Sequence, residues 1–99
     1  MRLIEIAHAR AGDKGSIVTL SLIAHHLEDY PLLDERVTAD RVARHFDEFL
    51  DGPVIRYELP LVGALNFVLR RKREYSVTRA LALDAHGKCL SSALLAMEI

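Results

Sequence analysis

The chain has no tryptophan, one cysteine and three prolines in 99 residues. With Cys89 as the sole cysteine, no intrachain disulfide can form, and the composition fits a reducing, cytoplasmic setting. No apolar run approaches the roughly 18–20 residues needed to span a bilayer. The N-terminal run Leu3-Ile4-Glu5-Ile6 is short and broken by Glu5, so it does not read as a signal peptide. The net charge of −1 gives no global case for nucleic acid or a membrane surface as partner. Repeats, low-complexity tracts and linkers are absent. The five histidines (8, 25, 26, 45 and 86) form no metal pattern. None lies at i, i+4 from another, and adjacent His25 and His26 cannot both face one ion from a regular element. Neither a metal nor a cofactor is expected.

What is present is apolar: 51% of the residues are hydrophobic. Residues 1–99 are the length of one domain. A chain this short buries only about 60–65% of the surface its unfolded form exposes. Apolar surface is therefore left for a partner, and a homo-oligomer is the simplest one. Charge is uneven: residues 28–51 are acid-rich, and Arg70 to Arg73 form a basic run that reads as a solvated helix end.

Residues 2–8 read as a strand, 9–16 as a loop and 17–24 as a second strand. In that second strand Leu20, Leu22 and Ala24 share one face, with Thr19 and Ser21 on the other. His25 to Arg36 reads as a short helix interrupted near Pro31. Thr38 is an N-cap, with Asp40 in the first turn, and Val42, Phe46, Phe49 and Leu50 make an apolar stripe. Gly52 and Pro53 end that element. Val54 to Leu59 is a third strand, with Val54 and Ile55 serving the core. Of Tyr57 and Glu58, at most one faces the core. Pro60 opens a second, buried helix over Leu61 to Leu69, which carries Asn66. Val77 to Leu83 and Cys89 to Glu98 read as a closing hairpin around a turn at 84–88. The order predicts an α+β fold: a two-layer, ferredoxin-like sandwich. Its mainly antiparallel sheet has about five strands, with two main helices on one face.

Turn chemistry and ionisable side chains converge at Ala7-His8-Ala9-Arg10-Ala11-Gly12-Asp13-Lys14-Gly15-Ser16. Glycine lets another group approach closely, and a glycine-bracketed turn can aim several N–H groups at one anion. The stretch reads as an anion or carboxylate site: Arg10 and Lys14 supply charge, Gly12 and Gly15 the backbone shape. Asp13 and His8 are the acid/base candidates. The plain alternative is a tight strand connection with solvated charges. It is not a Walker-type loop, whose glycine spacing is longer and ends in Lys-Ser/Thr. Asn66 is either a satisfied buried amide or a ligand contact. Cys89 lacks an activating base and reads as a strand residue.

Five blocks run in order along almost the whole chain. They are Ala-His-Ala-Arg-Ala-Gly-Asp-Lys-Gly at 7–15, Val-Thr-Ala-Asp-Arg-Val at 37–42, Arg-Tyr-Glu-Leu-Pro at 56–60, Ala-Leu-Asn-Phe-Val-Leu at 64–69 and Leu-Asp-Ala-His-Gly-Lys at 83–88. Together they resemble the C-terminal ferredoxin-fold domain of the acyclic terpene utilisation protein A (AtuA) family. The resemblance implies a free-standing version of that domain. It also implies a bacterial context, the breakdown of acyclic terpenoid or branched acids as CoA thioesters, with no defined reaction. The chain departs from the family pattern after Gly15. Ser16-Ile17-Val18-Thr19-Leu20-Ser21 stands where a polar Asp/Asn-containing stretch with a glycine is usual. If those polar groups shape the family site, the site here is altered or lost.

Two functions are in contention. The first is an oligomeric accessory or ligand-binding domain that acts with a larger AtuA-type catabolic protein. The second is a small hydratase, isomerase or hydrolase acting on an acyl-CoA or carboxylic acid. It requires His8, Arg10 and Asp13 to converge on one point.

Overall fold

The computed structural model describes residues 1–72 and 90–99. Four strands form one antiparallel sheet: β1 (Ala7–Lys14), β2 (Ile17–Ala24), β3 (Ile55–Leu59) and β4 (Ala64–Arg70), in the order β1-β2-β4-β3. Among these residues three helices, α1 (Tyr30–Arg36), α2 (Ala39–His45) and α3 (Leu90–Leu95), pack with their flanking turns on one face. The architecture is the expected α+β, ferredoxin-like sandwich, with four described strands rather than five.

Strand alternation decides which side is covered. Val18, Leu20 and Leu22 of β2 and Leu65, Phe67 and Leu69 of β4 are buried on the helical side. Leu33, Val42, Phe46, Phe49 and Leu94 close over them. The Thr38 hydroxyl accepts the Arg41 N–H at 3.1 Å, so the predicted N-cap is formed. Pro31 sits in the first turn of α1, where its missing N–H is harmless, and starts the helix rather than interrupting it.

Several expectations are corrected. Leu3–Glu5 is a single 3-10 turn, so the first strand begins at Ala7 and not at residue 2. Residues 9–14 are strand rather than loop, because Ala7, Ala9 and Ala11 alternate with His8, Arg10 and Gly12 against β2. The turn is only Gly15-Ser16, with Gly15 at φ +66°, a first central position that favours glycine. The expected second helix over Leu61 to Leu69 is absent. Pro60–Val62 makes one 3-10 turn, Gly63 turns the chain at φ +64°, and β4 follows. A run apolar on nearly every side has no period that separates helix from strand. Ile55 points away from the core and is exposed. Leu90–Leu95 is helix rather than part of a fifth strand. Its Leu and Ala are helix formers, and Leu90 and Leu94 fall on one helical face. The expected strand at 77–83, the turn at 84–88 and Cys89 lie outside the described residues.

Candidate site on the open sheet face

The second face of the sheet carries no helix among the described residues, and its side chains are set by register. Arg10 lies across from Ser21, Ser21 across from Asn66, and Asn66 across from Tyr57. One polar row therefore crosses all four strands, spanning about 14 Å at the usual strand spacing. Within it the Ser21 hydroxyl donates to Asn66 Oδ1 at 3.1 Å. That bond leaves both Asn66 amide N–H groups for another acceptor. Arg10 is exposed and makes no ion pair or hydrogen bond among the described residues.

The next row is Gly12, Thr19, Val68 and Ile55. A Cβ on Gly12 would stand 2.8 Å from the Thr19 hydroxyl, so any side chain there forces Thr19 or the strand to shift. Beyond this row Ile17, Pro53, Ile55 and Val68 line a cleft of about 230 Å³, with Asp51 and Arg70 at its rim. Lys14 lies across from Ile17, and Ile17 across from Arg70, so cations also edge this end. The row on the other side is His8, Ile23, Ala64 and Leu59. His8 stacks on His25, with ring centroids 5.6 Å apart.

The sequence candidates divide between the two faces. His8, Arg10, Gly12, Lys14 and Asn66 share the open face, although Asn66 is on a strand and not on the expected helix. Asp13 points to the helical side, where the buried Arg71 guanidinium binds its carboxylate. Arg71 Nε also donates to the Gly15 carbonyl at 2.7 Å. Asp13 therefore does not converge with His8 and Arg10. Ser21 was legible as a polar outward residue of β2, but nothing in the sequence placed it opposite Arg10 and Asn66. Arg71 was hidden in a basic run that reads as solvated.

A separate ionic cluster ties β3 to α1. Arg56 Nη2 bonds Asp34 Oδ1 at 2.7 Å and lies 3.4 Å from Glu58 Oε1. Its Nη1 donates to the Asp34 and Val37 carbonyls. The hydrogen bond between the two carboxyl groups holds Asp34 below the usual range and pushes Glu58 above it. Burial, then the nearby carboxylates, push the Tyr30 phenol up. Among the described residues no three His, Cys, Asp or Glu side chains are grouped to hold a metal ion.

The family model for the AtuA ferredoxin-like domain matches residues 1–99. The chain belongs to this family. No curated protein and no solved structure matches it. In this AtuA ferredoxin-like domain, the stretch after Gly15 has three polar side chains: Ser16 in the turn, and Thr19 and Ser21, which face the open side of the sheet.

Proposed function

We propose that this AtuA ferredoxin-like domain is a ligand-binding module whose open sheet face takes an amphipathic carboxylate. The observation that supports this reading is the polar row, in which Arg10, without a partner among the described residues, and the Asn66 amide stand beside an apolar floor. The carboxylate lies on Arg10 and Asn66, where charge-assisted hydrogen bonds are each worth about 1.5–3 kcal/mol when solvent is partly excluded. The chain of the ligand runs over Gly12, Thr19 and Val68 into the cleft at Ile17, Pro53 and Ile55. Two residues along a strand advance about 6.6–6.8 Å, so the two row intervals, about 13 Å, suit an extended chain of roughly ten to eleven carbons. Branched carboxylic acids, handled elsewhere as CoA thioesters, fit that description. The domain acts as an accessory to a larger catabolic protein rather than as the catalyst, since His8 and Arg10 face away from Asp13.

Calorimetric titration with a branched ten-carbon acid and the corresponding alcohol tests this. The acid should bind the wild type at least about tenfold more tightly than the alcohol, and Arg10→Ala should abolish the difference. Equal affinity of the wild type for acid and alcohol would remove the carboxylate from the reading.

A further inference from the structure

Among the described residues, the outer edge of β3 is an open apolar feature. Ile55, Tyr57 and Leu59 project from one side of it, all exposed, and Arg56 and Glu58 from the other. Among the described residues, its outward backbone groups have no strand partner. Directly after it, Leu61 is 94% exposed on the Pro60–Val62 turn, with Val62 exposed beside it. A bare strand edge with an apolar row is a template for pairing with another strand. Proteins commonly blunt such an edge with lysine or a bulge. Here the one basic residue of β3, Arg56, is turned inward onto α1.

We propose that β3 pairs antiparallel with β3 of a second copy about a two-fold axis at Tyr57, joining two sheets into one. The residue order makes this edge self-complementary. Tyr57 meets Tyr57 of the second copy at the axis. Ile55 then stands across from Leu59 of the second copy on the open face. Arg56 stands across from Glu58 of the second copy on the helical face, and the symmetry repeats each pair. Every cross-strand pair is apolar with apolar or opposite in charge, the combinations that stabilise antiparallel neighbours. Two-fold interfaces require this kind of self-matching patch. A register shifted by two residues would instead set Arg56 against Arg56 or Glu58 against Glu58.

The same register carries Leu61 toward Pro53 of the second copy. Pro53 lines the 230 Å³ apolar cleft with Ile17, Ile55 and Val68. An exposed leucine thus lies where a hydrophobic recess of the other copy begins, twice by symmetry. Pairing at the edge leaves the polar row at Arg10, Ser21 and Asn66 uncovered, while Leu61 of the second copy stands at the mouth of the cleft that takes the ligand's tail in the reading above; the pairing itself needs no ligand.

Sedimentation velocity across a concentration series tests the pairing, together with two surface variants and a cysteine scan. Glu58→Lys sets Lys against Arg56 of the second copy, and Leu61→Asp removes the apolar projection. Each should raise the dimer dissociation constant at least about tenfold. In a Cys89→Ser background, Tyr57→Cys places two thiols at the axis. Cross-strand Cα separations of about 4.5–5.5 Å are within disulfide range, so oxidation should give a covalent dimer. Ile55→Cys should not cross-link, because the two thiols would lie four residues apart along the strands, about 13 Å. A wild type that stays monomeric at hundreds of micromolar would overturn the proposal. So would a dimer that tolerates both surface variants, or equal cross-linking at positions 55 and 57.

Discussion

Arg71 fastens the β1–β2 turn to the end of β4 by gripping the Asp13 carboxylate and the Gly15 carbonyl, across 58 and 56 residues of chain respectively. Arg71 is only 2% exposed, so its charge has left bulk water almost entirely. A guanidinium in that position is tolerable only while an anion and carbonyl dipoles answer it. Asp13 is thereby a structural partner at the turn.

This relationship separates stability from binding. Asp13→Ala leaves a buried cation uncompensated and should cost about 1–3 kcal/mol, below the usual figure for a broken buried pair because Asp13 keeps some solvent. Arg71→Ala should cost at least as much. Arg10→Ala, at an exposed position, should change stability by about 0.5 kcal/mol or less. Denaturant melts measure the costs, and carboxylate titration should rank the variants in the opposite order. Strong loss of binding in a still-folded Asp13→Ala protein would return Asp13 to the site.

Gly12 is required by its neighbour rather than by its backbone angle, since the positive-φ glycines are 15, 52 and 63. An added Cβ meets the Thr19 hydroxyl at 2.8 Å. Of the two other staggered Thr19 rotamers one puts the methyl there and only the other, with the hydrogen inward, gives room, so relief requires Thr19 to leave its present rotamer. Gly12→Ala should therefore destabilise by about 1 kcal/mol, overpacking outweighing the usual gain from replacing a strand glycine. In a Thr19→Ala background the same change should be neutral or stabilising. A double-mutant cycle reads the coupling directly, and additivity would refute the contact.

The sandwich was legible because β2 alternates cleanly and because Thr38 announces a capped helix. The second helix was misread because Leu61 to Leu69 is apolar at every period. Its burial on one face and half-burial on the other blur the alternation that marks a strand. The strand over residues 9–14 is not legible because glycine commonly signals a turn, whereas Gly12 answers to Thr19, a partner seven residues away across the sheet. Arg10 and Asn66 were both singled out by type. That they share a row with Ser21 and Tyr57 follows only from register, a long-range property that local sequence does not carry.

The Asp34–Glu58 pair makes a signed pH dependence. Asp34 is held low, chiefly by its hydrogen bond with Glu58, so its contribution is present above its ordinary value of 3.8 and fades as pH falls through the depressed value. Glu58 is held high, chiefly by its hydrogen bond with Asp34. Its contribution is present below its ordinary 4.5 and fades as pH rises through the raised value. The pair therefore supports the fold most near the ordinary carboxylate range and less toward neutrality. Glu58→Gln stays uncharged and keeps a hydrogen-bond donor. Its melting temperature relative to wild type should rise as pH goes from about 4.5 through the raised Glu58 value and level off above it. A constant offset between the two proteins, measured at dilute concentration, would mean that the carboxyl groups do not share a proton.

The Ser21–Asn66 bond makes the most specific prediction about the open face. Ser21 occupies Asn66 Oδ1, which directs the amide N–H groups outward as donors. Asn66→Asp would set an acceptor and a negative charge in their place. Binding of a branched carboxylate should then fall by well over tenfold through like-charge repulsion. Asn66→Leu loses the donors, and the acceptor for Ser21, without adding charge, and should weaken it by about tenfold, the worth of one charge-assisted bond. Ser21→Ala leaves the amide in place but free to rotate, and should cost less than either. Both sites are half-exposed, so melting temperatures should move little. The order Asp worse than Leu worse than Ser21→Ala, read by calorimetry, is what a carboxylate on this row demands. An Asn66→Asp protein that binds the acid as wild type does would place the ligand elsewhere.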